Sequence, residues 1–208
     1  MRKKLMRWEI AGFLFVCAAG TLLHFVYHWS GMSVIAAAFS AVNESTWEHM
    51  KILFVPYFAF TMVQFTVFAE AFRNYFACKA MSALAGLLTI PLLFYALTGA
   101  FGPTPDWVNI AIFFLSAAVM HAASHYLLTR GALRGGWQQL AGFVLLWLLL
   151  FLFVYFTYRT PNLPLFLDPV SGGYGIGKIC REKLPPSLAG AFLGSLCGVA
   201  ECCGARGI

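Results

Sequence analysis

Residues 140–156 read LAGFVLLWLLLFLFVYF, seventeen positions without a single charge. A helix that is apolar around its whole circumference has no side to offer water and belongs in a hydrophobic surround. At about 1.5 Å per residue this stretch rises roughly 25 Å, close to the ~30 Å apolar thickness of a bilayer. It reads as a membrane span.

Four more segments of the same kind lie upstream, at residues 8–28, 52–69, 76–98 and 107–128. The first follows Arg2, Lys3, Lys4 and Arg7 as a secretory signal would, but its apolar run continues from Ile10 to Tyr27 with only Thr21 and His24 of strong polarity. That is long enough to remain as an uncleaved span. Pro56 and Pro91 fall inside the second and third spans, where a missing N–H frees one carbonyl. Residues 32–42 are too short to cross, rising only about 16 Å as a helix, and read as an interfacial or re-entrant piece between the first two spans. The expected fold is therefore all-α: an integral membrane bundle of about five transmembrane helices. The last stretch of the chain is rich in Gly, Cys and Pro, and its apolar run 188–199 is too short to span.

Composition agrees. The chain is 61% apolar and 11% charged, against roughly 45–50% and 25% in soluble domains. The net charge of +6 is scattered between apolar blocks rather than gathered on one polar face, so nucleic acid is not an expected partner and the lipid bilayer is. Arg73 and Lys79 fall between the second and third spans, and Arg130 and Arg134 between the fourth and fifth, on the side of the basic N-terminus. The alternate connections carry Glu44, Glu48 and Asp106 against Lys51 alone. The positive-inside rule then predicts a multi-pass membrane protein with a cytoplasmic N-terminus and an outside C-terminus. Trp8, Trp29, Trp107, Trp137 and Tyr158 lie near the predicted span ends, where an aromatic belt belongs. Six cysteines without a C-x-x-C pair argue against a thiolate metal site.

Ionisable side chains at the edge of hydrocarbon are costly, which makes each a site hypothesis. One group is His24, His28, Asn43, Glu44, Ser45, Glu48 and His49. Ser45 precedes Glu48 by three residues, the spacing of a capping box in which serine accepts from the Glu48 amide and the glutamate reaches back. His24 and His28, four apart, share a helix face that Glu44, Glu48 and His49 would meet, and imidazole with carboxylate suits zinc or another divalent metal, or proton transfer. Glu48, His49 and His24 are the expected ligands in that case. His121 and His125 form a second pair on one helix face, read either as a site or as helix-to-helix hydrogen bonds. Ser45-x-x-x-His49 with His121-x-x-x-His125 is similar to the motif pair of ceramidase-like and progestin-receptor-like membrane hydrolases, which implies zinc and lipid-amide hydrolysis. That superfamily also has seven spans and a further acidic residue.

A longer resemblance rests on His24-Phe25-x-Tyr27-x-Trp29-Ser30-Gly31 and Val42-Asn43-Glu44-Ser45-x-Trp47-Glu48-His49-x-Lys51. Pro161-x-Leu163-Pro164-Leu165-Phe166-x-Asp168-Pro169, ending in Tyr174-Gly175-Ile176, adds to it. With these motifs residues 1–176 resemble the domain of unknown function 6512 family, uncharacterised small bacterial membrane proteins. The resemblance implies a membrane domain at 1–176, an added extension at 177–208 and a bacterial plasma membrane, and the family name records no activity.

Three functions follow as expectations. The first is a non-enzymatic subunit or scaffold whose small-residue faces bind other membrane helices or a second copy, with no cofactor. The second is metal or proton handling by the outer His/Glu group. The third is a zinc-dependent intramembrane hydrolase of the ceramidase-like type. The segments around Asn43–Lys51 and 163–176 are both expected on one face, since each follows an odd-numbered span.

Overall fold

The computed structural model describes residues 1–176. The 177–208 extension and its four cysteines lie outside the described residues.

Five helices are long and apolar enough to cross a membrane: α1 (Arg2–Trp29), α3 (Thr46–Phe68), α4 (Tyr75–Phe101), α5 (Asp106–Arg130) and α6 (Gly136–Tyr158). Between the first two lies α2 (Val34–Ala37), a single turn in the segment too short to span. A 3₁₀ turn (Pro164–Phe166) follows α6. Among the described residues there is no strand, and an isolated bridge between Leu167 and Tyr174 is the nearest approach to one.

Helices α1, α3, α4 and α5 close a ring in which each packs on two neighbours, and α6 lies outside it against α4 and α3. The most apolar window of α3 is 56% buried and that of α6 only 22%. That contrast fits the sequences: α3 carries Thr61 and Gln64 that need protein partners, whereas α6 is apolar over nearly all its surface and needs few. Val16, Leu53, Phe54, Ala83, Ala117, Met120 and Leu146 make the shared core.

Pro56 stays inside α3. It has no N–H for the Ile52 carbonyl, and α1 approaches that carbonyl with Gly20: a Cβ there would stand 2.9 Å from Ile52 O and 2.5 Å from the Phe113 ring. The backbones can come this close only because Gly20 has no side chain. α5 ends on Gly131 with φ +68°, a left-handed C-cap that glycine adopts without strain.

Helices begin and end beyond the apolar runs. α1 takes in Arg2–Arg7, and α3 starts at Thr46 rather than near Ile52, so Glu48, His49 and Lys51 sit on helix. Two lysines expected as loop charges are inside the bundle. Lys79 lies in the second turn of α4 and Lys51 in the second turn of α3, both fully buried. The physical reason in each case is a carboxylate partner within the protein.

Candidate metal centre and a buried charge cluster

At the end of the bundle where α1 finishes and α3 starts, the polar residues divide into two groups. Ser45 caps α3: its hydroxyl accepts from the Glu48 amide at 3.4 Å, and the Asn43 side chain accepts from the Ser45 amide at 3.0 Å. The expected box is therefore only half made. Instead of reaching back to Ser45, the Glu48 carboxylate accepts from the Val42 amide at 3.0 Å and pairs with Lys51 at 2.6 Å. Lys51 also donates to Ala37 O at 2.9 Å and to the Thr157 hydroxyl at 2.8 Å, so its three protons all have acceptors. This buried group ties the α2 segment, α3 and α6 together. It withdraws Glu48 from the ligand set predicted for it.

The second group faces outward. His24 Nε2 lies 3.4 Å from Glu44 Oε1, and His49 Nε2 lies 3.7 Å from Glu44 Oε2. The two imidazoles stand 5.7 Å apart, and one ligand atom from each of His24, Glu44 and His49 falls within 4.8 Å of the others. Three separate segments supply them: α1, the connection after α2, and α3. His49 Nδ1 is 3.0 Å from Ser45 O. A carbonyl can only accept, so that nitrogen carries a hydrogen, and in the neutral ring Nε2 has its lone pair free on the side of Glu44. A hydrogen bond of this kind would orient the imidazole if it held a metal. Metal bonds of about 2.0–2.1 Å at a tetrahedral angle set donors roughly 3.4 Å apart. The two histidine-to-carboxylate separations, one to each Glu44 oxygen, are near that value. His28 is exposed, and Asn43 turns away to donate to Gly175 O at 3.1 Å.

That last contact joins the two motif-bearing segments. The Trp47 ring lies 4.7 Å from Phe166 and 4.6 Å from Phe153. Asp168 holds the returning turn by accepting from the Val170 amide and the Ser171 hydroxyl.

The opposite end contains a centre the sequence reading did not assemble. Glu9 of α1, only 3% exposed, receives donors from three other helices. Its Oε1 accepts from Lys79 Nζ at 2.8 Å, Ser124 Oγ at 2.8 Å and Gln64 Nε2 at 3.2 Å, and its Oε2 lies 2.9 Å from His121 Nδ1. Lys79 also sits over the Tyr57 and Tyr75 rings at 5.5 and 5.7 Å. The Tyr57 hydroxyl meets Ser82 at 2.6 Å, and that of Tyr75 donates to Thr61 O at 2.8 Å. His125 is half-buried one turn further along α5, outside this network. Glu9 stands between Trp8 and the apolar run that starts at Ile10, and that carboxylate, the one acidic residue of α1, was the available signal.

His49 and Gln64 are fifteen residues apart on α3, roughly 22 Å of helix. The Ser45/His49 and His121/His125 motifs thus sit toward opposite ends and have no common centre. The hydrolase resemblance needs both on one ion.

The sequence signature of DUF6512, a family of unknown function, matches residues 1–176. Comparison with curated proteins and with solved structures finds no match.

Proposed function

The chain belongs to the DUF6512 family, whose function is unknown, and from that premise we propose that it is a multi-pass membrane protein holding a divalent metal ion, zinc by ligand type, on His24, Glu44 and His49. The observation that carries this reading is the convergence of their three ligand atoms within 4.8 Å. Two histidines and one glutamate are a zinc set that leaves a fourth position for water or a bound ligand. A packing role explains the group less well. At 3.4 and 3.7 Å the Glu44 contacts are longer than good hydrogen bonds.

The same reading puts the metal on the outer face of a bacterial plasma membrane. Arg2, Lys3, Lys4, Arg7, Arg73, Arg130 and Arg134 belong to the other end of the bundle. Among the described residues, burial of Lys51 against Glu48 removes one opposing charge from the count and leaves Arg159. The positive-inside rule then makes the N-terminal side cytoplasmic. A subunit or scaffold role rests on lipid-facing surfaces alone, and no described contact favours it.

The test is elemental analysis of the detergent-purified full chain after incubation with zinc and removal of free metal. One zinc per chain is expected. Glu44→Gln and His49→Ala should lose it and His28→Ala should keep it. A wild-type protein that emerges folded and without metal would overturn the proposal.

A further inference from the structure

Glu9 Oε1 already accepts three donors, and its Oε2 faces His121 Nδ1. With the carboxylate charged and able only to accept, Nδ1 carries the hydrogen of a neutral imidazole, and Nε2 is left with a lone pair. That atom is sealed from solvent and has no hydrogen-bond partner among the described residues. The side chain is 4% exposed. Its ring is walled by Phe13 of α1 and by Tyr57 and Phe60 of α3, with centroids 6.5, 5.4 and 6.5 Å away. Gly12 completes the wall, where a Cβ would stand 2.6 Å from His121 Cε1.

Apart from Thr61 Oγ1, a hydroxyl buried without a hydrogen-bond partner among the described residues, the groups around Glu9 bond one another. Lys79 donates to Glu9, Gln64 links Glu9 to the Tyr75 hydroxyl, and the Tyr57 hydroxyl is shared with Ser82 and Lys79 O. One basic nitrogen remains open.

We propose that His121 Nε2 is a proton-binding site inside the membrane-spanning bundle, with Glu9 as the fixed counter-charge. Uptake forms one N–H bond at Nε2 and breaks none of the contacts around Glu9. The Glu9–Lys79 pair is formally neutral, so the proton converts the group from zero to +1. A charge that comes and goes at this depth responds to membrane potential and to any ion bound elsewhere in the bundle. The titratable and charged groups facing His121 are Glu9 from α1, Tyr57 from α3 and, through Glu9, Lys79 from α4, with Ser124 on its own helix. A surface cleft lined by Arg2, Asn74, Leu128 and Arg134 opens at this end, and Leu128 stands one turn beyond Ser124 on α5. That makes the basic side the nearer proton source.

The site shares no residue with the metal centre, so the two readings fail separately. The experiment is nitrogen NMR of the full chain in lipid nanodiscs with ¹⁵N-labelled histidine rings, between about pH 5 and 9, where imidazoles ordinarily titrate. The His121 signals are identified by their loss in His121→Gln. The expected result is a neutral ring protonated at Nδ1 that becomes imidazolium as pH falls, with a transition that Glu9→Gln displaces. Ser124→Ala removes one donor from the same carboxylate and leaves every charge in place, so it is the variant expected to keep its fold. It should move the transition by a measurable fraction of a pH unit. A His121 ring in one protonation state throughout would overturn the proposal, as would a transition that neither variant moves.

Discussion

The Glu9 carboxylate and the Lys79 ammonium meet at 2.8 Å across seventy positions of sequence, and neither side chain is more than 4% exposed. An ion pair this deep owes its existence to its neighbours, because desolvating both charges offsets most of their attraction. Removing one partner strands the other. Glu9→Gln or Lys79→Met alone should therefore cost about 3–5 kcal/mol, and the double substitution much less than the sum. Reversible unfolding of the four proteins in mixed micelles measures the cycle. Simple additivity would show that the pair does not act as a unit.

Lys51 poses the same problem at the other end, with Thr157 as one of its three acceptors. Thr157→Val keeps the shape and deletes one acceptor, so the unfolding free energy should fall by about 1–3 kcal/mol. Lys51→Met should cost more, and adding Glu48→Gln should recover part of that loss. Melting temperatures of the three variants in one detergent rank them.

At Gly20, α1 packs closely on both α3 and α5. A leucine there would collide with Ile52 O and Phe113, and overpacking should cost about 1–3 kcal/mol or drive the helices apart. Gly99→Leu is the control, since nothing lies within 4 Å of a Cβ at that position. Thermal unfolding should separate the two variants clearly.

Phe166 holds the segment after α6 by packing on Trp47 and Phe156. Truncating a buried phenylalanine costs about 3–5 kcal/mol, and here the loss should fall on residues 159–176. Phe166→Ala is expected to speed limited proteolysis within that segment while helical circular dichroism stays unchanged. Equal cleavage rates would mean that Asn43–Gly175 and the Asp168 turn suffice.

The sequence by itself determined the solvent and hence the architecture. Runs such as 140–156 can be satisfied only by hydrocarbon, and a chain in hydrocarbon must bond its backbone locally, which leaves helices. It also determined that residues 32–42 cannot cross, that Ser45 caps a helix, and that the 43–51 and 163–176 segments share a face. It did not determine the pairing of charges. Lys51 and Lys79 look like loop charges because hydropathy counts them without their partners, and Glu9 looks incidental because Gln64, Lys79, His121 and Ser124 are scattered over the next 115 positions. Glu44 and Glu48 are four apart on one short stretch, yet the fold turns one toward His24 and His49 and the other toward Lys51. Only tertiary structure could decide that, because the direction of a side chain follows from helix start, register and neighbours, and these depend on how five helices pack around one another.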